Sequence, residues 1–208
     1  MSAPSVHPSA NLSDRLARIS VEQYHRMIES GALRESAAIE LLDGLLVQKD
    51  RSARGDDPRT VGKRHAVAVH RLLVLDALLT KFGWHMRVQS PVTFVSANEP
   101  EPDGAIARGA DSAYLERHPG AADLACVFEV ADSSLDHDRT LKLAAYARAG
   151  VRLYVIVNLV DNRLEVHEEP DATTGSYRKT ASLVAGEVLT VLLGGDGRID
   201  LPVRDLLP

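Results

Sequence analysis

The 208-residue chain carries a formal net charge of −5 and fits one globular domain better than two at about 150 residues per domain; at this size it hides roughly 70% of its unfolded surface, enough for a core without a disulfide or structural metal. With 45% hydrophobic and 25% charged residues the composition excludes disordered and collagen-like classes, and the single cysteine, Cys126, excludes a disulfide framework and a cysteine-rich zinc site and suits a reducing cytoplasm. The absence of an 18-residue apolar run and of a basic-then-apolar start argues against a membrane span or export, and the acidic balance means that nucleic acid must be met by a local positive patch.

Residues 1–18 mix Pro, Ser, Ala and His without a period and read as a loosely held tail, leaving one ordered domain over residues 19–208. Ser20 and Gln23 form a capping-box pattern ahead of Tyr24, Met27 and Ile28 at helical spacing, and Gly31 ends that helix. Residues 39–47 are two apolar runs joined by Asp43-Gly44, a dipeptide that tolerates positive φ, which predicts a hairpin. Over residues 49–64 six Lys or Arg against three Asp leave a local +3, either a phosphate-contacting patch or a solvated loop. A long helix follows over 62–82, apolar on most of its circumference as if covered on two sides, with Gly83 as its stop. Val88, Val92, Phe94 and Val95 predict a strand, residues 103–106 a short strand, and residues 124–130 an apolar strand. A helix over about 138–149 ends at Gly150. Strands over 153–159 and 164–167 meet at Asp161-Asn162, and strand-like runs over 188–193 and 199–203 close the chain. No internal repeat is present, and the order predicts an α/β (α+β) domain, a central mixed sheet flanked by helices.

Three carboxylates fall where carboxylates are awkward: Glu40 in an apolar hairpin strand, Asp103 at the mouth of a short strand, and Glu129 within the run Ala125-Cys126-Val127-Phe128-Glu129-Val130. A buried ionised carboxylate requires a cation or several donors, so Glu129 either points to a solvated face, pairs with an arginine, or belongs to a site. If the strands of Asp103 and Glu129 are neighbours, the two acids can converge and either share a proton or hold a divalent cation. Asp138, Lys142 and Tyr146 fall on one helical stripe. Lys142 can fold back over the strand's end to face a metal-bound water, or it can pair with Asp138 while Tyr146 serves as a core anchor.

These residues carry a resemblance. Glu40-Leu41-Leu42-Asp43-Gly44, His65 at the opening of the long helix, Pro102-Asp103-Gly104-Ala105-Ile106 and Phe128-Glu129-Val130-Ala131-Asp132-Ser133-Ser134 stand in one order with three further segments. Those are Asp138-Arg139-Thr140-Leu141-Lys142, Tyr146-Ala147-Arg148-Ala149-Gly150-Val151 and Tyr154-Val155-Ile156-Val157, and the whole resembles the bacterial Uma-type family of restriction-endonuclease-like proteins in the PD-(D/E)xK superfamily. The resemblance covers roughly residues 19–170. It implies a restriction-endonuclease-like core and a magnesium- or manganese-dependent nuclease that hydrolyses phosphodiester bonds.

On the matching positions it implies Asp103, Glu129 and the carbonyl of Val130 as metal ligands, Lys142 as the catalytic lysine, and Glu40 and His65 as further members of the site. The lysine that the superfamily places two residues after the strand glutamate is Ala131 here, so Lys142 would reach the same place from the following helix. Nucleic acid, DNA before RNA, is the implied partner, and strand edges suggest a homodimer. The competing reading is an inactive nuclease-fold module that binds nucleic acid or protein as a homodimer, and a purely structural dimer would make no demand on Asp103 or Glu129.

Overall fold

The computed structural model describes residues 16–34, 38–49, 62–94, 97–132, 134–195 and 197–208. Most of the tail and residues 50–61 of the basic segment lie outside the described residues. Helix α1, Val21–Glu29, starts at Ser20, whose hydroxyl accepts from the Gln23 amide while the Gln23 side chain accepts from the Ser20 amide. Strands β1, Ile39–Leu42, and β2, Leu45–Gln48, form a separate hairpin that turns at Asp43 and Gly44, both at positive φ. A Cβ on Gly44 would lie 2.7 Å from the Arg18 Cβ, so the turn and the chain entering α1 are packed against each other.

The expected long helix is segmented. Helix α2, Lys63–Val74, passes through Leu75 into α3, Asp76–Leu79, and a 3₁₀ turn, Thr80–Phe82, before Gly83 reverses the chain. It is covered on one side, not two: Ala68, Leu72 and Leu79 are buried while Val67, Leu73, Val74, Leu78 and Phe82 are exposed. One neighbouring sheet face satisfies the buried stripe, which is all that a 3.6-residue period needs.

The central sheet has the order β3-β4-β5-β6-β7-β8. Its strands are β3, Trp84–Val88; β4, Gly104–Arg108; β5, Leu124–Ala131; β6, Leu153–Asn158; β7, Arg163–Asp171; and β8, Ser176–Leu183. Only β5 and β6 run parallel, and the helix between them makes their crossover. Of the strand expected from Val88, Val92, Phe94 and Val95, only Val88 is in a strand, as the last residue of β3; Val92 and Phe94 lie in an irregular segment tied by the Phe94–Asn98 bridge, their apolar side chains filling the core without a ladder, and Val95 lies outside the described residues. Strand β8 shows no alternating apolar pattern and was not expected; it is held by its ladder to β7 along an exposed edge. Strands β9, Val188–Gly194, and β10, Gly197–Pro202, form a second hairpin, followed by α6, Val203–Leu206. No helix among the described residues is long and apolar enough to cross a membrane.

Alternation sorts the two faces of β5. Cys126, Phe128 and Val130 join Leu72, Leu79, Ile106 and the β9–β10 hairpin in one core. Val127 and Ala131 join Tyr146, Tyr154 and Ile156 in the other, so Glu129 belongs to the second face. That face lies beneath a continuous helical run: α4, Leu135–His137, a π-turn, Asp138–Lys142, and α5, Leu143–Ala149. It begins three residues before the expected start and contains an i→i+5 turn that periodicity cannot register.

Gly104 sets how closely α2 approaches the sheet. A Cβ there would lie 2.9 Å from the Leu72 Cδ1 and 3.4 Å from the Phe128 Cβ, in a wall with no exposed neighbour. Leu72 stands two turns from His65 on the same helix face, so its seating fixes how far His65 reaches. Gly104→Ala is therefore expected to lower the unfolding free energy by about 1–3 kcal/mol in a urea titration. A midpoint equal to wild type would show that Leu72 moves aside freely and does not set the height of α2.

Candidate active site

Five elements that are distant in sequence bring their polar residues to one end of the sheet. Asp103 is the residue just before β4, and its carboxylate Oδ2 accepts the Val130 amide at 2.8 Å, standing where a backbone carbonyl would continue the ladder. His65, from the first turn of α2, places Nε2 3.2 Å from the same oxygen. Glu129 is 2% exposed, and its Oε1 accepts from the Lys142 Nζ at 2.9 Å and the Tyr146 hydroxyl at 2.7 Å. Glu40 comes from β1: its Oε2 accepts the Glu101 amide at 3.1 Å, and its Oε1 lies 3.5 Å from Lys142 Nζ and 3.6 Å from His137 Nε2.

The solvated-face reading of Glu129 is excluded by this burial, and its cation is a lysine, not an arginine. Lys142 turns toward Glu129 and Glu40 rather than forming a helix pair with Asp138, whose carboxylate accepts from Ser134 Oγ at 2.6 Å. Tyr146 is the fully buried core residue its spacing suggests, but its hydroxyl also enters the site, which an apolar periodicity cannot reveal. His137 and Asp138 are site neighbours that sequence reasoning did not assign to the site; Asp138 stood there only on the Lys142 stripe, as a possible helix partner of that lysine, and no signal marked His137.

The electrostatics follow from four acids, Glu40, Asp103, Glu129 and Asp138, sharing one ammonium. Burial alone would push Lys142 toward neutrality, but the charges of Glu129, Glu40, Asp138 and Asp103 outweigh it and hold the ammonium well above its ordinary range. Burial likewise raises Asp103, yet the His65 hydrogen bond and charge outweigh it and keep the carboxyl below the usual value; His65 is raised by the same contact. Glu40 is lowered because Lys142, His137 and the Glu101 amide offset its burial. Glu129 and Asp138 go the other way: burial raises both, Glu129 well above the carboxylate range, Lys142 only partly compensates, and for Glu129 the charges of Asp138, Asp103 and Glu40 add to the rise.

Among the described residues no three His, Cys, Asp or Glu side chains close into a ligand cage by themselves. The donor chemistry nevertheless suits a hard divalent cation: the acids supply oxygen only, their negative charge exceeds that of Lys142 and His65, and Glu40 Oε1 is buried without a hydrogen-bond donor. Asp103 keeps 16% of its side chain exposed, so the group is reachable from solvent.

Residues 21–203 match a family model described as "Uma2: Putative restriction endonuclease". The fold is similar to a crystal structure described as that of a putative nuclease belonging to DUF820 from Anabaena variabilis ATCC 29413, with a TM-score of 0.64 and 14% identity, covering 90% of this chain and 97% of that one. No curated protein matches the sequence.

An acid whose folded pKa is raised weakens the fold at neutral pH, and the penalty is absent below its unfolded pKa. Glu129→Gln mimics the protonated form, so in metal-free buffer it is expected to be at least as stable as wild type at pH 7. The advantage should close as pH falls toward the ordinary glutamate value of 4.5. Urea titrations at both pH values check this; a variant less stable at pH 7 than at pH 4.5, relative to wild type, would show that Lys142 fully neutralises Glu129.

Proposed function

The chain belongs to the Uma2 family, and on that footing we propose that it is a divalent-metal-dependent nuclease, hydrolysing phosphodiester bonds of nucleic acid, DNA before RNA. The observation that carries the reading is the meeting of Glu40 and Glu129 on the single ammonium of Lys142, with Asp138 and the His65-bonded Asp103 near enough to add their charge. An inert module or a structural dimer has no use for such a buried excess of negative charge, which weakens a fold unless a cation is held there.

Asp103, Glu129 and the Val130 carbonyl would hold magnesium or manganese. In an extended strand the N–H and C=O of one residue point to the same side, and the Val130 N–H points at Asp103, so its carbonyl faces the same end of the sheet. A divalent cation bound there supplies positive charge against the negative charge that grows on a phosphodiester during displacement. The chain's own groups do the rest. Lys142 stays protonated, so it acts as a fixed charge and hydrogen-bond donor that orients an attacking water and steadies the phosphoryl oxygens, not as a base. His65 fixes the rotation of the Asp103 carboxylate, and Glu40 helps to keep the Lys142 ammonium beside Glu129. Basic side chains of residues 49–64 are the proposed phosphate contacts; Lys63 and Arg64 stand beside His65 at the start of α2, with Arg64 also bonded to the Leu159 carbonyl at 2.7 Å.

The protein is proposed to work in the cytoplasm as one domain from Ile19 onward and to pair as a dimer through a sheet edge such as β8. Sedimentation at micromolar concentration is expected to give twice the chain mass, and a monomer at that concentration removes the dimer from the proposal.

Supercoiled plasmid and single-stranded DNA and RNA, incubated with Mg²⁺ or Mn²⁺, are expected to be cut, with DNA cleaved faster. Cleavage should vanish in EDTA and fall at least 10²-fold in Asp103→Asn. Cleavage that survives both EDTA and the substitution would sink the metal-dependent reading.

A further inference from the structure

We infer that Tyr146 is a positioning residue for the metal-binding carboxylate: its hydroxyl and the Lys142 ammonium together commit Glu129 Oε1, so that Oε2 is the oxygen presented to the cation. The inference rests on the proposed function, in which Glu129 is a ligand.

The contrast with the other tyrosines carries the argument. The chain has five. Four of them donate to backbone carbonyls: Tyr24 to Ile39, Tyr114 to Arg108, Tyr154 to Asp138 and Tyr177 to Val151. This is the usual way for a buried phenol to satisfy its hydroxyl while its ring fills the core. Tyr146 alone donates to a carboxylate, at 2.7 Å, in a position with no exposure. Its ring has little freedom, with Phe94 edge-on at 5.8 Å and Tyr154 at 4.9 Å between centroids. Lys142 and Tyr146 are four residues apart, on one helix face, and both reach the same oxygen. Two donors of fixed direction, one of them charged, leave Glu129 one rotation, with Oε1 turned to the helix. Second partners of this kind orient a ligand and raise its affinity for the metal about 10–100-fold.

Tyr146→Phe removes only the hydroxyl. Tyr177→Phe is the control, since its hydroxyl is also buried but donates to the Val151 carbonyl, outside the turn that carries Lys142, and Glu129→Gln is the reference for losing the ligand. Calorimetric titration with Mn²⁺ on the full chain is expected to show binding weakened about 10-fold in Tyr146→Phe, near wild type in Tyr177→Phe, and lost in Glu129→Gln. Wild-type affinity in Tyr146→Phe beside lost binding in Glu129→Gln overturns the positioning role and leaves the proposed function standing. Equal weakening in both tyrosine variants also overturns it, since loosened packing then explains the effect. Unchanged binding in Glu129→Gln removes the ligand role itself and the inference with it. Should Tyr146→Phe fail to fold, carbon-13-labelled tyrosine in the wild type gives the answer by NMR. The Tyr146 resonance is expected to move on Mg²⁺ addition while that of Tyr177 holds, and a stationary Tyr146 signal overturns the inference.

Discussion

One ammonium allows this site to exist. Four carboxylates at the end of the sheet would repel one another and resist burial, and Lys142 Nζ, between Glu129 Oε1 and Glu40 Oε1, is the charge that makes their company tolerable. The surrounding elements serve that meeting. The hairpin β1–β2 is not part of the central sheet, but it docks on the segment leading to Asp103 through the Leu41–Glu99 bridge and the Glu101 amide on Glu40, which brings its acid to the lysine. The helical run over β5 brings the ammonium from above, and α2 brings His65 from the opposite face around the end of β4.

The helical origin of the lysine has a packing reason. Ala131, where a strand lysine would stand, shares the face of Glu129 and is wholly buried beneath the helix, in the cluster with Tyr146 and Tyr154. A long cation there would displace aromatic rings, whereas Lys142 descends from the helix through the space that a small residue leaves open. The π-turn over Asp138–Lys142 lies at this point, and the Tyr154 hydroxyl supports its Asp138 carbonyl at 3.0 Å. Single π-turns of this kind recur at functional sites.

Much of this was legible in the residues. The capping box at Ser20 and the Asp43-Gly44 turn are local chemistry, written within four residues, and they formed as read. Glu129 stood out because a charge interrupted an apolar run, and the run did prove buried on both faces. The illegible parts depend on contacts distant in sequence. The number of faces α2 buries is decided by what packs on it, not by its own period, and β8 exists by pairing rather than by pattern. That Tyr146 is both core and site could not be separated by spacing, since helix stripes of either purpose look alike. Asp103 and Glu129 are neighbours only because β4 and β5 pair in the register Gly104 with Phe128, a long-range fact.

The Asp103 carboxylate, bonded to the Val130 amide in place of a main-chain oxygen, has a consequence for how a ligand would be received. Its orientation is settled during folding, as part of closing the sheet, so no torsional freedom is left for an arriving ion to quench. Selectivity among cations would then reflect their radius and hydration against a rigid seat, and adaptability would have to come from the other ligands.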